Sequence, residues 1–168
     1  MNSHKSESSK DTGEIPVILN ILAIINDMTI RYLRVKGLFY VLIGLTWIVF
    51  ESPSRLAGIL WLSFLTETHV GLFWIVGGVI PIVVSYFNHT RARKLGFFLL
   101  VFVSAVTGAY FAVSWVAFYI PFISTEGYSR AGITTVSYWG FSVSAYLMAH
   151  VYALSSGASQ VIDTGGRL

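Results

Sequence analysis

Residues 97–125, FFLLVFVSAVTGAYFAVSWVAFYIPFIST, run for 29 positions without an Asp, Glu, Lys or Arg. A helix needs about 20 mainly apolar residues to cross a bilayer, so this stretch holds a span with room to spare. Two further windows share the property: Thr68–Thr90 (23 residues) and Ala131–Ile162 (32 residues). The corresponding spans are expected near Val70–Phe87, Phe97–Ile120 and Ile133–Ala153. Gly37–Phe50 is uncharged for only 14 residues. Because Arg34 and Lys36 can snorkel, Val35–Ser52 is a fourth span. The next apolar piece, Leu56–Leu65, is ten residues between Arg55 and Glu67. It is too short to cross and is expected in the interface, with a re-entrant dip as the alternative.

Composition agrees. Of 168 residues 55% are hydrophobic and 11% charged, against about 25% charged in soluble domains. Too few charged side chains remain to coat a water-facing surface, which argues against a soluble enzyme. It argues equally against a disordered chain. With no cysteine, no thiolate metal site, disulfide framework or cysteine nucleophile can form.

The flanks differ from the spans. Residues 1–14 are polar and expected to be a disordered cytoplasmic tail. Over Ile15–Lys36 the apolar positions Ile15, Ile18, Leu19, Leu22 and Ile25 recur at helical spacing among Asn20, Asn26, Asp27 and Arg31. This pattern predicts an amphipathic helix on the membrane surface, leading into a four-span bundle over 37–154. A simple extension of span one is the alternative. Residues 155–168 read as an aperiodic cytoplasmic tail. The expected fold is therefore all-α: an integral membrane four-helix bundle with an N-terminal amphipathic interfacial helix.

Charge gives the orientation. Four spans place both termini and the loop Asn88–Gly96 on one side, which then holds nine of the eleven Lys and Arg residues. The positive-inside rule makes that side the cytoplasm of a bacterial inner membrane. The net charge of +3 is thus explained by topology, without nucleic acid. Arg91, Arg93 and Lys94 are expected on lipid headgroups. On this topology Trp47, Trp61, Trp74, Trp115 and Trp139 all fall toward the outer interface, where an indole N–H finds water.

Small residues predict how the helices pack. Ser104, Gly108 and Ala112 recur every four residues, as do Ala145, Ala149 and Ala153. Such faces let backbones approach where lipid supplies no hydrophobic drive. Gly77, Gly78 and Pro81 are expected to kink the second span.

Chemistry-bearing residues are sparse. No carboxylate lies near the middle of a span, which argues against proton coupling or an ion relay. Glu67 and His69 read as solvated loop residues. His89 and His150, near the cytoplasmic ends of different spans, are the pair that would offer axial ligands to a haem. No other cofactor signature accompanies them, so no cofactor and no metal is expected.

The pieces Ser52-Pro53, Gly71-x-x-Trp74-x-x-Gly77-Gly78, Arg93-Lys94-Leu95-Gly96-Phe97, Ser114-Trp115 and Gly127-Tyr128-x-Arg130 give the chain over residues 37–153 a further character. It resembles the small four-span membrane proteins of unassigned role encoded by actinobacteria and their bacteriophages. The resemblance implies topology and a phage setting, and supplies no catalytic or binding residue. The expected function is non-enzymatic: assembly with itself or another membrane protein, as a lysis accessory, holin-like protein or superinfection modifier. The alternative is an accessory subunit of a transporter or respiratory complex.

Overall fold

A computed structural model describes residues 14–50, 66–87, 89–120 and 131–165. They form four helices: α1 (Glu14–Val49), α2 (Glu67–Val84), α3 (Thr90–Tyr119) and α4 (Ala131–Gly165). No strand occurs among the described residues. The expected interfacial segment Leu56–Leu65, the residues before Glu14 and the pieces Ser52-Pro53 and Gly127–Arg130 lie outside them.

Among the described residues three helices are long and apolar enough to cross a membrane: α1 over Val17–Val49, α2 over Glu67–Val84 and α3 over Thr90–Tyr119. The fourth, α4, is not among them. Its sequence weaves Ser, Thr and Tyr between apolar residues, which lowers its mean hydropathy. Those hydroxyls are largely satisfied within the protein. Thr135 and Ser137 donate to carbonyls one turn back, and Ser142 donates to the Val101 carbonyl of α3 at 3.1 Å. A back-bonded hydroxyl is much less polar to its surroundings than a hydropathy scale assumes.

Consecutive helices run antiparallel. α1 packs most extensively on α2, and α3 on α4, with a lesser α2–α3 seam and slighter contacts from α1 to α4. Glycine sets the α1–α2 distance. A Cβ on Gly44 would come within 2.5 Å of the Gly71 carbonyl oxygen, and one on Gly37 within 2.6 Å of the Gly78 carbonyl oxygen. Real side chains do not tolerate such distances, so both positions must be glycine if the backbones are to touch. Gly37/Gly44 and Gly71/Gly78 each repeat at seven residues, two helical turns, so both contacts fall on one seam. Between them Tyr40 and Trp74 meet edge to face, ring centroids 4.6 Å apart.

From that pair an aromatic core crosses the bundle. Trp74 meets Tyr138 of α4 at 5.1 Å, Tyr138 stacks on Phe111 of α3 at 5.7 Å, and Phe111 reaches Trp47 of α1 at 6.3 Å. All four helices contribute. Trp47 and Trp74 are buried here, against the expectation of an outer aromatic belt; the Trp74 indole N–H has no hydrogen-bond partner. Trp115 and Trp139 do lie at the surface, each more than two-fifths exposed. Position along a helix gives an indole's depth but not the side it faces, and these two pairs differ in side.

The flanks also depart from expectation. No boundary appears near Lys36: the amphipathic stretch and the first span form one uninterrupted helix, with Pro16 in its first turn, where a backbone donor is not needed. At 1.5 Å per residue α1 is about 54 Å long, against about 30 Å of hydrocarbon. Its start projects beyond the α2–α3 turn, since Asn26, twelve residues in, already meets Arg93 in the first turn of α3. The tail expected from Ser155 is helical to Gly165. No proline interrupts it, and Ser155 and Ser156 bond back to Tyr152 and Ala153. Both overhangs leave the same end of the bundle.

Finally, α2 starts earlier than expected. Thr66 and His69 form a reciprocal capping box: the Thr66 hydroxyl accepts from the His69 amide, and His69 Nδ1 accepts from the Thr66 amide. His69 stands where Glu or Gln usually does. Glu67 is 7% exposed. Neither residue is in a loop.

Candidate functional site

The basic end of the bundle brings most of the expected site residues together. The α2–α3 turn joins Ser85, Tyr86 and Phe87 to the start of α3 at Thr90. Arg91 and Lys94 are exposed there. Arg93 is not: it is 7% exposed, its Nη1 donates to Asn26 Oδ1 at 2.8 Å and its Nε to the Phe87 carbonyl at 3.2 Å. The expected headgroup contact of Arg93 is thus replaced by a tie between α1 and the turn. The reason is register: 91 and 94 lie on one side of α3, while 93 falls on the side of buried Gly96, Phe97 and Leu100.

Arg34 repeats the arrangement one step along. Its Nε donates to Ser85 Oγ at 3.0 Å and its guanidinium lies 4.2 Å over the Tyr86 ring. Two cations of the basic end are therefore structural. Lys36 sits deeper, its Nζ 4.4 Å from the centre of the Phe141 ring of α4 and 5.8 Å from that of Phe39. Deeper still, the Tyr40 hydroxyl donates to the Leu100 carbonyl at 2.8 Å, while one turn nearer the basic end than Lys36 the Tyr32 and Ser144 hydroxyls share a 3.0 Å bond.

The small-residue faces serve different ends along their length. Ser104 is fully buried and bonds back to the Leu100 carbonyl; Gly108 lies against the Trp139 ring, which fills the space a Cβ would take; Ala112 is half-buried. On α4, Ala145 is buried, Ala149 half-buried and Ala153 exposed. Gly77 and Gly78 face two neighbours, Val103 of α3 and Gly37 of α1, and Pro81 is buried within a helix that continues to Val84. The seven-residue glycine repeat of the α1–α2 seam was legible in the sequence, but a search at four-residue spacing passes over it.

Beside Lys94 the α3–α4 seam opens into a groove of about 280 Å³. Phe97, Phe98 and Val101 form one wall, with Tyr146 and Tyr152 on the other. Ala149 and Ala153 also line it. The antiparallel pairing of Phe97 with Tyr152, at 5.8 Å, puts Lys94 and Ala153 at the basic end and Val101 and Tyr146 at the deep end.

The histidines stand apart from this groove. His89 is the exposed N-cap residue of α3, and His150 is exposed on α4 and stacked on Tyr146 at 6.4 Å. Neither lines the groove, and no group of three or more His, Cys, Asp or Glu gathers among the described residues.

No protein-family model matches the chain, and neither a curated protein nor a solved structure shows significant similarity to it.

Proposed function

We propose that this chain is a non-enzymatic, four-span protein of the bacterial inner membrane, with both ends cytoplasmic, that acts by assembling with itself or with other membrane proteins. One observation carries the reading. Every helix exposes large aliphatic side chains along its length: Leu42 on α1, Val76 on α2, Val113 on α3 and Val143 on α4 are all more than half exposed. Meanwhile Arg93, Tyr40 and Ser142 turn inward and bond to another helix or to a turn. An apolar skin on every side, around an interior that keeps the polar groups, suits a hydrocarbon solvent.

A phage setting makes such an assembly a lysis accessory, a holin-like protein or a superinfection modifier. The second reading is an accessory subunit of a transporter or respiratory assembly. The α1 overhang favours it, because exposed Val17, Ile21 and Ile24 extend an aliphatic surface past the α2–α3 turn.

Purification of the full chain in mild detergent tests both. A homo-oligomer supports the first reading, a stoichiometric partner the second, and a lone monomer overturns assembly. Release of the chain from vesicles by alkaline carbonate overturns membrane insertion itself.

A further inference from the structure

We propose that the groove between α3 and α4 holds one anionic phospholipid of the cytoplasmic leaflet, with one of its two acyl chains along the Ala149–Ala153 floor, the other in the surrounding bilayer, and its phosphate on Lys94. The proposal rests on the four-span membrane reading. It assigns the small residues of α4 a role that helix packing does not supply. Ala145 is buried against the bundle, yet one and two turns on, Ala149 is half-buried and Ala153 exposed. A stripe continued for packing alone would stay covered. Instead the last two residues floor a recess walled by Phe97, Phe98 and Tyr146.

Shape and charge select the occupant. The recess runs along α3 from Lys94 to Val101, about 10 Å at 1.5 Å per residue, and its volume is about 280 Å³. A helix of a partner protein is about 10–12 Å across and does not fit. A single acyl chain is slender enough. The polarity gradient also matches a lipid in that leaflet: the cation stands at the basic end and aromatic and aliphatic groups line the depth. Lys94 is exposed, with Arg91 one turn before it. Between Thr68 and Ile162 the chain has one acidic residue, Glu126, so the facing helix walls bring no carboxylate to Lys94. A phosphodiester supplies the missing anion. Arg93, committed to Asn26 and Phe87, takes no part.

The test is native mass spectrometry of the full chain released from nanodiscs of equal phosphatidylglycerol and phosphatidylcholine. The wild type should retain one phosphatidylglycerol. Ala153→Phe, which fills the exposed end of the groove, should lose it, whereas Val143→Phe, on exposed α4 surface outside the groove, should keep it. Lys94→Gln should lower the preference for phosphatidylglycerol about fivefold, the factor one basic side chain contributes at an anionic surface, and Arg91→Gln should lower it less. Equal retention of the two lipids by the wild type overturns the proposal. So does full retention by Ala153→Phe with an unfolding midpoint matching Val143→Phe. Lys94→Gln alters only an exposed side chain and keeps the test decisive if Ala153→Phe misfolds. Carbonate extraction separates the layers of the argument: a chain released from vesicles overturns the membrane reading with the groove, while a chain retained in vesicles with unchanged lipid binding in both variants overturns the groove alone.

Discussion

Gly37 and Gly78 meet backbone to backbone, with no room for a side chain on either. A Cβ on Gly37 would stand 2.6 Å from the Gly78 carbonyl oxygen, and a Cβ on Gly78 would stand 2.8 Å from the Val41 amide nitrogen. Neither obstacle is the tip of a flexible side chain. Relief therefore requires the two helices to separate along the whole seam.

That rigidity predicts a ranking among glycines. Gly37→Ala or Gly44→Ala should destabilise the protein by roughly 1–3 kcal/mol, the usual cost of overpacking. Gly140→Ala, with nothing within 4 Å of its new Cβ, should be neutral or gain up to about 1 kcal/mol from helix propensity. Thermal unfolding in detergent measures both, and equal midpoints would refute the glycine seam.

Gly108 should respond less sharply to alanine. Its obstacle is the ring of Trp139, a side chain nearly half exposed and able to swing outward. Gly108→Ala is expected to cost less than Gly37→Ala. Gly108→Leu should still cost more than Val106→Leu, since Val106 is exposed. The same unfolding assay checks the order.

Arg93 and Arg91 should part company in stability. Arg93→Ala leaves Asn26 Oδ1 and the Phe87 carbonyl without their guanidinium donor, costing about 1–3 kcal/mol. Arg91→Ala should stay within about 0.5 kcal/mol of wild type. Arg93→Lys should recover only part of the loss, because an ammonium lacks the planar fork that reaches both acceptors. Comparable effects at 91 and 93 in chemical or thermal unfolding would show that the inward tie contributes nothing.

At Tyr40 the ring should matter more than the hydroxyl. Hydrogen bonds between membrane helices contribute about 0.6 kcal/mol on average, so Tyr40→Phe should be mild despite losing the bond to Leu100. Tyr40→Ala empties a site between Trp74 and the α3 backbone and should cost about 3–5 kcal/mol, as large aromatic truncations do. A Tyr40→Phe variant as unstable as Tyr40→Ala would reverse that assignment.

Topology is open to direct chemistry because the chain has no native cysteine. Single cysteines at Ser6, Thr90, Ser129 and Ser159 can be treated in intact cells with a membrane-impermeant thiol reagent. The charge asymmetry predicts labelling at Ser129 alone. Labelling at Ser6 as well, with Ser159 protected, would mean that residues 56–65 cross and that the spans number five.

What the sequence by itself determined is where the helices lie, though not how far α1 and α4 extend. A long charge-free apolar window reads as a helix, and the three such windows, visible without any structure, coincide with α2, α3 and α4. The sequence also marked the basic end, because charge is a property of residues, whatever their neighbours. Facing is another matter, and the tertiary structure alone decided it. Arg91, Arg93 and Lys94 look alike in the chain, but only 93 falls on the side of α3 that meets Asn26. Trp74 and Trp139 share a composition argument, yet one is in the core and the other at the surface. The Ala145–Ala149–Ala153 stripe reads as one packing face, and it becomes a groove because α3 presents rings where a flush contact would need small residues. Helix formation is local and is written in each segment; which face meets which depends on two segments fitting each other, and neither segment carries that information alone.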